Sequence, residues 1–191
     1  MKPEDPVIAF ASPAAFEAWL ELEHARAAGL WLKIAKKGTG IDTVSYAEAI
    51  EVALCFGWID GQKGRLDDTY WLQRFTPRRA RSPWSAINRT KAMALIEAGA
   101  MRPAGLEEVR RAQADGRWEN AYAGQRTAEV PDDLQTALEA EPEAGAFFAT
   151  LNAANRYAII YRVNEAKRPE TRARRIAKFT AMLAAGEQLH P

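Results

Sequence analysis

The side chains best suited to chemistry lie close together between residues 75 and 89. Arg78, Arg79 and Arg81 fall within four residues, immediately before the pair Ser82-Pro83. Serine followed by proline is typical of a helix N-cap and first helical position, so the pattern predicts a helix that begins at Pro83. The first turn of a helix offers free backbone N–H groups and the positive end of the helix dipole. Together with three guanidinium groups, this predicts a site for a phosphate or a carboxylate.

Three further residues of this segment, Trp84, Ser85 and Asn88, belong to the predicted anion site. The amides of Trp84 and Ser85 would lie in the first helical turn, and the side chains of Ser85 and Asn88 would add neutral donors. In the alternative interpretation, Ser82 only caps the helix and the arginines pair with acidic residues between positions 60 and 68. No glycine-rich phosphate loop accompanies the segment. The residue pattern therefore leaves both interpretations open.

A second candidate lies in Trp58-Ile59-Asp60-Gly61, which is predicted to form a strand beside a basic hairpin. The Asp60 carboxylate is expected either to form a structural ion pair or to be functional, by orienting an arginine or by acting as a base. Nothing in the sequence supplies a recognisable pair of base and nucleophile, so no catalytic residue is predicted and enzymatic activity is disfavoured. The candidate ligand-binding residues are Trp58, Asp60, Arg78, Arg79, Arg81, Trp84, Ser85 and Asn88.

The cysteine and histidine content disfavours a metal centre or a reactive thiol. Cys55, the only cysteine, has apolar neighbours and lies near the end of a predicted helix, where the dipole raises a thiol pKa. It is therefore predicted to be buried and unreactive. The two histidines, His24 and His190, lie far apart in the sequence. No metal site and no cofactor are predicted.

The elements that must position these residues are mostly helices around a small sheet. A strand is predicted at residues 30–36, and a β-hairpin is predicted from the aromatic runs at 58–61 and 69–75 around a Gly- and Asp-rich turn. Capping and proline signals predict helices that begin near residues 12, 45, 82, 103, 131, 142 and 169. The predicted fold class is α+β, with a small antiparallel sheet packed with helices and a C-terminal all-helical unit.

Charge segregation along the chain predicts two domains. Residues 129–143 contain six acidic residues and no basic one, whereas residues 156–178 contain eight basic residues and two acidic ones. We predict an α+β domain over residues 1–128 and a helical domain over residues 129–191, with the acidic stretch at the seam. This stretch is expected either to be a solvated helix face or to dock on a basic region of the same molecule.

The overall composition limits the choice of partners. The 191 residues are 48% hydrophobic and carry a formal net charge of +1, so no global attraction to nucleic acid or membranes is expected. No apolar run reaches the roughly 18 residues that a membrane span needs, so no membrane span is expected. The N-terminal residues do not resemble a signal peptide, and a cytoplasmic protein is expected.

Several segments, in one order along the chain, resemble the bacterial YdeI/OmpD-associated family, also known as bacteriocin-protection proteins. The segments are 53–61, 74–79, Ser82-x-Trp84-Ser85-x-x-Asn88, Gly116-Arg117-Trp118 with Ala121-Tyr122, and Glu170-Thr171-Arg172-x-x-Arg175-Ile176. The resemblance covers residues 16 to 186. It implies a role in envelope stress, porin association, or resistance to antimicrobial peptides and bacteriocins, and it carries no established catalytic residues.

Combining the resemblance with the arginine cluster leads to the function that we expect. The protein is expected to be a non-enzymatic binding protein linked to envelope stress or peptide resistance, whose partner is an anionic small molecule or protein. One alternative is a nucleic-acid-binding protein that uses the same arginines and the basic C-terminal helix. The other is an enzyme with a site around Asp60 and Arg78.

Overall fold

The computed structural model describes residues 5–190, which contain four strands and eight helices. The strands are β1 (Val7–Ile8), β2 (Leu30–Ala35), β3 (Trp58–Arg65) and β4 (Tyr70–Pro77). The helices are α1 (Pro13–Glu23), α2 (Tyr46–Cys55), α3 (Ala86–Glu97), α4 (Pro103–Ala114), α5 (Asp132–Ala140), α6 (Pro142–Thr150), α7 (Ala153–Glu165) and α8 (Pro169–Ala184). The chain divides into two compact units, the first ending at Ala121 and the second beginning at Tyr122. The α+β class predicted from the sequence is confirmed.

The sheet of the first unit has the strand order β1-β2-β4-β3. The predicted β3–β4 hairpin is confirmed, and β2 also pairs antiparallel with β4. The prediction of a purely antiparallel sheet is wrong at one edge, because β1 runs parallel to β2 and pairs Val7 with Trp31. The reason is topological: α1 and its connections carry the chain from β1 back to the start of β2, and such a crossover places two strands parallel.

Helices α1 and α2 pack on one face of this sheet. Phe16 of α1 lies 5.8 Å from Phe75 of β4, between ring centroids, and both side chains are fully buried. The N-terminus of α2 has the predicted capping box, in which Ser45 and Glu48 satisfy each other's backbone amides. Where α2 ends, Gly105 of α4 approaches so closely that an added Cβ would lie 2.4 Å from the Cys55 carbonyl oxygen. This contact fixes the end of α2 and the start of β3.

Helix α3 begins three residues later than the sequence predicts. Ser85, not Ser82, is the N-cap, and its hydroxyl accepts a hydrogen bond from the Asn88 amide at 3.1 Å. The Ser82 hydroxyl instead accepts from the Arg79 amide at 3.0 Å and closes a turn before the helix. Ser82 and Pro83 therefore belong to a turn rather than to a helix start, because the next residue, Trp84, is non-helical and buried in the core.

The second unit consists of α5, α6, α7 and α8 around its own apolar core. Pro142 and Pro169 are the first residues of α6 and α8, as predicted. Helix α7 has Asn152 as its N-cap and begins with Ala153 rather than with a proline. Asn155 of α7 is 1% exposed, and it exchanges two hydrogen bonds with the backbone of His190. Within residues 5–190, none of the helices combines the length and apolar character that crossing a bilayer requires.

Candidate anion-binding site

The centre of the candidate site is a stacked pair in the loop between β4 and α3. The Arg78 guanidinium lies 3.6 Å from the centre of the Trp84 ring, and its Nη1 donates to the Pro83 carbonyl oxygen. The exposed fractions are only 6% for Arg78 and 1% for Trp84. The Arg78 backbone amide donates to the carbonyl oxygen of Gly57 and ties the loop to the start of β3. A positive charge is thus fixed inside the loop.

Arg79 and Arg81 lie at the surface of the same loop. Both are exposed, and neither forms an ion pair within the described part of the chain. Asp67 caps the β3–β4 turn by accepting hydrogen bonds from two backbone amides, and Asp68 contacts Arg65. These two carboxylates are therefore not the partners of Arg79 and Arg81. The guanidinium groups of Arg79 and Arg81 therefore remain available to an external anion.

Three residues that were not among the predicted site residues complete the cluster. Trp118 packs edge-on against Trp84, with 4.9 Å between ring centroids. Arg117 donates through Nη1 to the Ser82 carbonyl oxygen at 2.8 Å, and Arg89 donates to the Trp118 carbonyl oxygen at 3.0 Å. The segment Gly116-Arg117-Trp118 contributed to the family resemblance. It lies far from the arginine loop in the sequence, so the contact between them could not be predicted from residue spacing.

Two buried donors of this cluster lack an acceptor. Neither Trp84 Nε1 nor Arg117 Nη2 has a hydrogen-bond partner within residues 5–190, and both atoms are shielded from solvent. Buried polar groups are nearly always hydrogen-bonded, because an unpaired one costs about 1–3 kcal/mol. Unpaired donors beside an arginine cluster are therefore typical of a place where an acceptor such as an oxyanion binds.

The neutral donors of the predicted site have different roles. The Ser85 hydroxyl is occupied by capping α3, and the first helical turn comprises Ala86 to Asn88 rather than Trp84 and Ser85. The prediction that the Trp84 and Ser85 amides lie in this turn is thus wrong. The Asn88 side chain is half-buried, and its carboxamide group forms no hydrogen bond with other residues in the described range, whereas the Asn88 backbone amide donates to Ser85.

Trp58 and Asp60 lie on β3, where Trp58 pairs with Pro77, the residue before Arg78. Trp58 is buried in the core, where Nε1 donates to the His24 carbonyl oxygen at 3.1 Å. Asp60 pairs with Phe75 across the hairpin and accepts a hydrogen bond from the Tyr46 hydroxyl at 2.7 Å. Arg78 lies three residues beyond Phe75, which corresponds to about 10 Å along the strand. Six of the eight predicted residues thus lie in the loop and at the start of α3, and the other two lie on the adjoining strand β3.

The thiol and the histidines lie outside any metal-binding arrangement. Burial raises the pKa of the buried Cys55 thiol to about 11, with a further contribution from the negative charge of Glu17. His24 Nδ1 donates to the Leu20 carbonyl oxygen at 2.7 Å within α1. No group of three or more histidine, cysteine or carboxylate side chains that could hold a metal ion occurs among the residues described.

Two family models match this chain, one within each of its two compact units. No curated protein matches the chain, and no solved structure does. Residues 127–186 match the family described as Bacteriocin-protection, YdeI or OmpD-Associated, which confirms the resemblance for the C-terminal part. The N-terminal segments quoted for that resemblance, up to Asn88, lie within a match to a different family. That match covers residues 8–108, more than half of the chain, and the protein therefore belongs to the family described as Domain of unknown function (DUF8412).

Proposed function

We propose that this protein is a non-enzymatic binding protein that takes an oxyanion of a ligand or partner at the loop between β4 and α3. The observation that carries the proposal is the pair of buried, unpartnered donors, Trp84 Nε1 and Arg117 Nη2, within an arginine-rich cluster. The exposed Arg79 and Arg81 attract the anion and bind it at the surface. The buried donors and the Asn88 side-chain amide donate hydrogen bonds to its remaining oxygens.

The electrostatics of the loop support this role. Arg79 and Arg81 are exposed and form no ion pair in the described part of the chain, whereas Arg117 is paired with Asp115 at 2.8 Å. Arginine presents a planar fork of donors that matches the oxygens of phosphate and carboxylate groups. An anion is therefore the ligand class that fits the cluster best.

A cellular role in resistance to bacteriocins or antimicrobial peptides is the second element of the proposal. Its support is the family description that matches residues 127–186. In this account, the first unit recognises the anionic group and the second unit contributes the part shared with the bacteriocin-protection family. The protein would act as a binding module within a stress response rather than as a catalyst.

The binding constant of inorganic phosphate, measured by isothermal titration calorimetry, tests the anion site. The double variant Arg79→Ala/Arg81→Ala should weaken binding by about tenfold or more, because two charge-assisted hydrogen bonds are lost. The matched control Arg26→Ala/Arg65→Ala removes two exposed arginines of the same unit that lie outside the cluster. It should change the binding constant by less than about twofold. Equal weakening in both double variants would show only a general charge effect.

A single-stranded oligonucleotide distinguishes a small anion from nucleic acid. If the loop binds one oxyanion, phosphate should compete at low millimolar concentration, and the logarithm of affinity should depend only weakly on salt. A nucleic-acid-binding surface would instead bind the oligonucleotide tightly and lose affinity steeply with salt, in proportion to the number of phosphates contacted. That second pattern would replace the proposal by the nucleic-acid alternative.

A further inference from the structure

A groove lies between α5 and α8 in the second unit and has a volume of about 710 Å³. Its walls are built mainly from small side chains: Ala137, Ala140, Ala173, Ala177, Ala181 and Ala184. Ala173, Ala177 and Ala181 are exposed on α8. The spacing between packed helices depends on side-chain size at the contact, so these alanines allow another helix to approach closely.

Carboxylates lie in this groove and in a depression beside it. Glu141 lines the groove directly, and a second depression of about 500 Å³, lined by Glu129 and Asp132, shares Asp133 and Arg172 with it. In the described residues, Glu129, Asp132 and Glu141 form no ion pair.

The one arginine that lines the groove is already neutralised. Arg172 makes a bidentate pair with Asp133, at 2.5 and 2.8 Å, and donates also to the Val163 carbonyl oxygen. The Arg172 guanidinium lowers the pKa of the Asp133 carboxyl, so this carboxylate stays ionised. The groove therefore combines an apolar floor with the unpaired Glu141 carboxylate, and the neighbouring depression adds those of Glu129 and Asp132.

We propose that the α5–α8 groove binds an amphipathic helix that carries lysine or arginine at the edges of its apolar face. A helix with an apolar face fits such a groove through side chains that recur at helical spacing. The acidic depression next to Asp133 and the Glu141 carboxylate are separated by eight residues, which is about 12 Å along a helix. Two basic residues about two turns apart would therefore meet both acidic positions.

A dye-labelled peptide provides the probe, and fluorescence anisotropy the measurement. The peptide forms a helix of about four turns, with leucine and alanine on one face and two lysines two turns apart. It should bind the full chain saturably, and the same peptide with glutamates in place of the lysines should bind at least about tenfold more weakly. Absence of saturable binding, or equal binding of the two peptides, would overturn the proposal.

Variants of the chain localise the binding. Ala177→Lys places a long cationic side chain in the groove and should weaken peptide binding by about tenfold or more. The matched control is Ala154→Lys, on the exposed surface of α7 outside the groove, which should leave binding unchanged. Glu141→Gln should weaken binding and reduce its salt dependence, whereas Glu187→Gln should do neither. If Ala177→Lys binds like the unmodified protein, the groove is not the binding site.

Two further results decide between this occupant and others. A dimer in light scattering that Ala177→Lys dissociates would assign the groove to a second copy of the chain and overturn the proposal. The variant Arg79→Ala/Arg81→Ala should bind the peptide normally, because those residues belong to the anion site of the first unit. Failure of one proposal would thus leave the other standing.

Discussion

The Arg78 guanidinium stacks on the Trp84 ring at 3.6 Å, while the next residue, Arg79, points its charge into solvent. Two adjacent arginines therefore have opposite roles in one loop. Arg78 is part of the packing and holds the loop in shape, whereas Arg79 is available to a ligand. Removing the two side chains should consequently affect two different properties of the protein.

Arg78→Ala should lower the free energy of unfolding by about 2 kcal/mol, because a desolvated cation–π contact is lost. Arg79→Ala should change it by no more than about 0.5 kcal/mol, as is usual for an exposed residue. Urea denaturation followed by tryptophan fluorescence measures both. Equal destabilisation by the two variants would show that the loop does not separate the roles of these arginines.

Ser85→Ala should destabilise the protein by about 1 kcal/mol, because the N-cap of α3 is lost. Ser82→Thr provides a control in the neighbouring turn, since it keeps a hydroxyl that accepts from the Arg79 amide. Thermal unfolding followed by circular dichroism compares these two variants with Ser82→Ala. A larger loss in Ser82→Ala than in Ser85→Ala would instead place the helix start at Pro83.

Cys55 should react very slowly with a thiol reagent such as a disulfide-containing dye in the native protein. Burial keeps its pKa near 11, so about one thiol in a thousand is ionised at pH 8, and only the thiolate attacks the reagent. The same protein in denaturant serves as the control and should react at the rate of an unstructured thiol. Fast native labelling would contradict the burial of Cys55.

Asp133→Asn should remove part of the pH dependence of stability. The Asp133 pKa is lower in the folded protein than in an unfolded chain, because the Arg172 guanidinium stabilises its carboxylate. The ionised carboxylate therefore stabilises the fold above the unfolded pKa of about 3.9, and this contribution is lost as the pH falls through the folded pKa. The difference in melting temperature between the variant and the natural protein should thus be larger at pH 6 than at pH 2.

Most elements of the fold can be predicted from local signals. The capping box at Ser45, the prolines at 103, 142 and 169, and the aromatic β-hairpin all mark elements that the structure contains. Two local signals fail for non-local reasons. The Ser82-Pro83 pair lies in a turn because Trp84 is drawn into the core, and the parallel pairing of β1 depends on a strand 24 residues away.

The candidate site is predictable only in part for the same reason. The arginine loop is visible in the sequence because its charges are consecutive. The contributions of Arg117 and Trp118 depend on a tertiary contact that spans 35 residues, and no short-range pattern encodes it. The burial of Arg78 also follows from its stacking on Trp84, which sequence spacing alone does not distinguish from exposure.

The indole N–H resonance of Trp84 provides the most direct test of the anion site. It can be assigned in a ¹⁵N-labelled sample, because Trp84→Phe should remove one of the signals of the six tryptophans. On titration with inorganic phosphate, the Trp84 signal should shift saturably, and the Trp19 and Trp58 signals should not, because those rings pack together elsewhere in the core. A Trp84 signal that does not move at phosphate concentrations that saturate binding would contradict the proposed site.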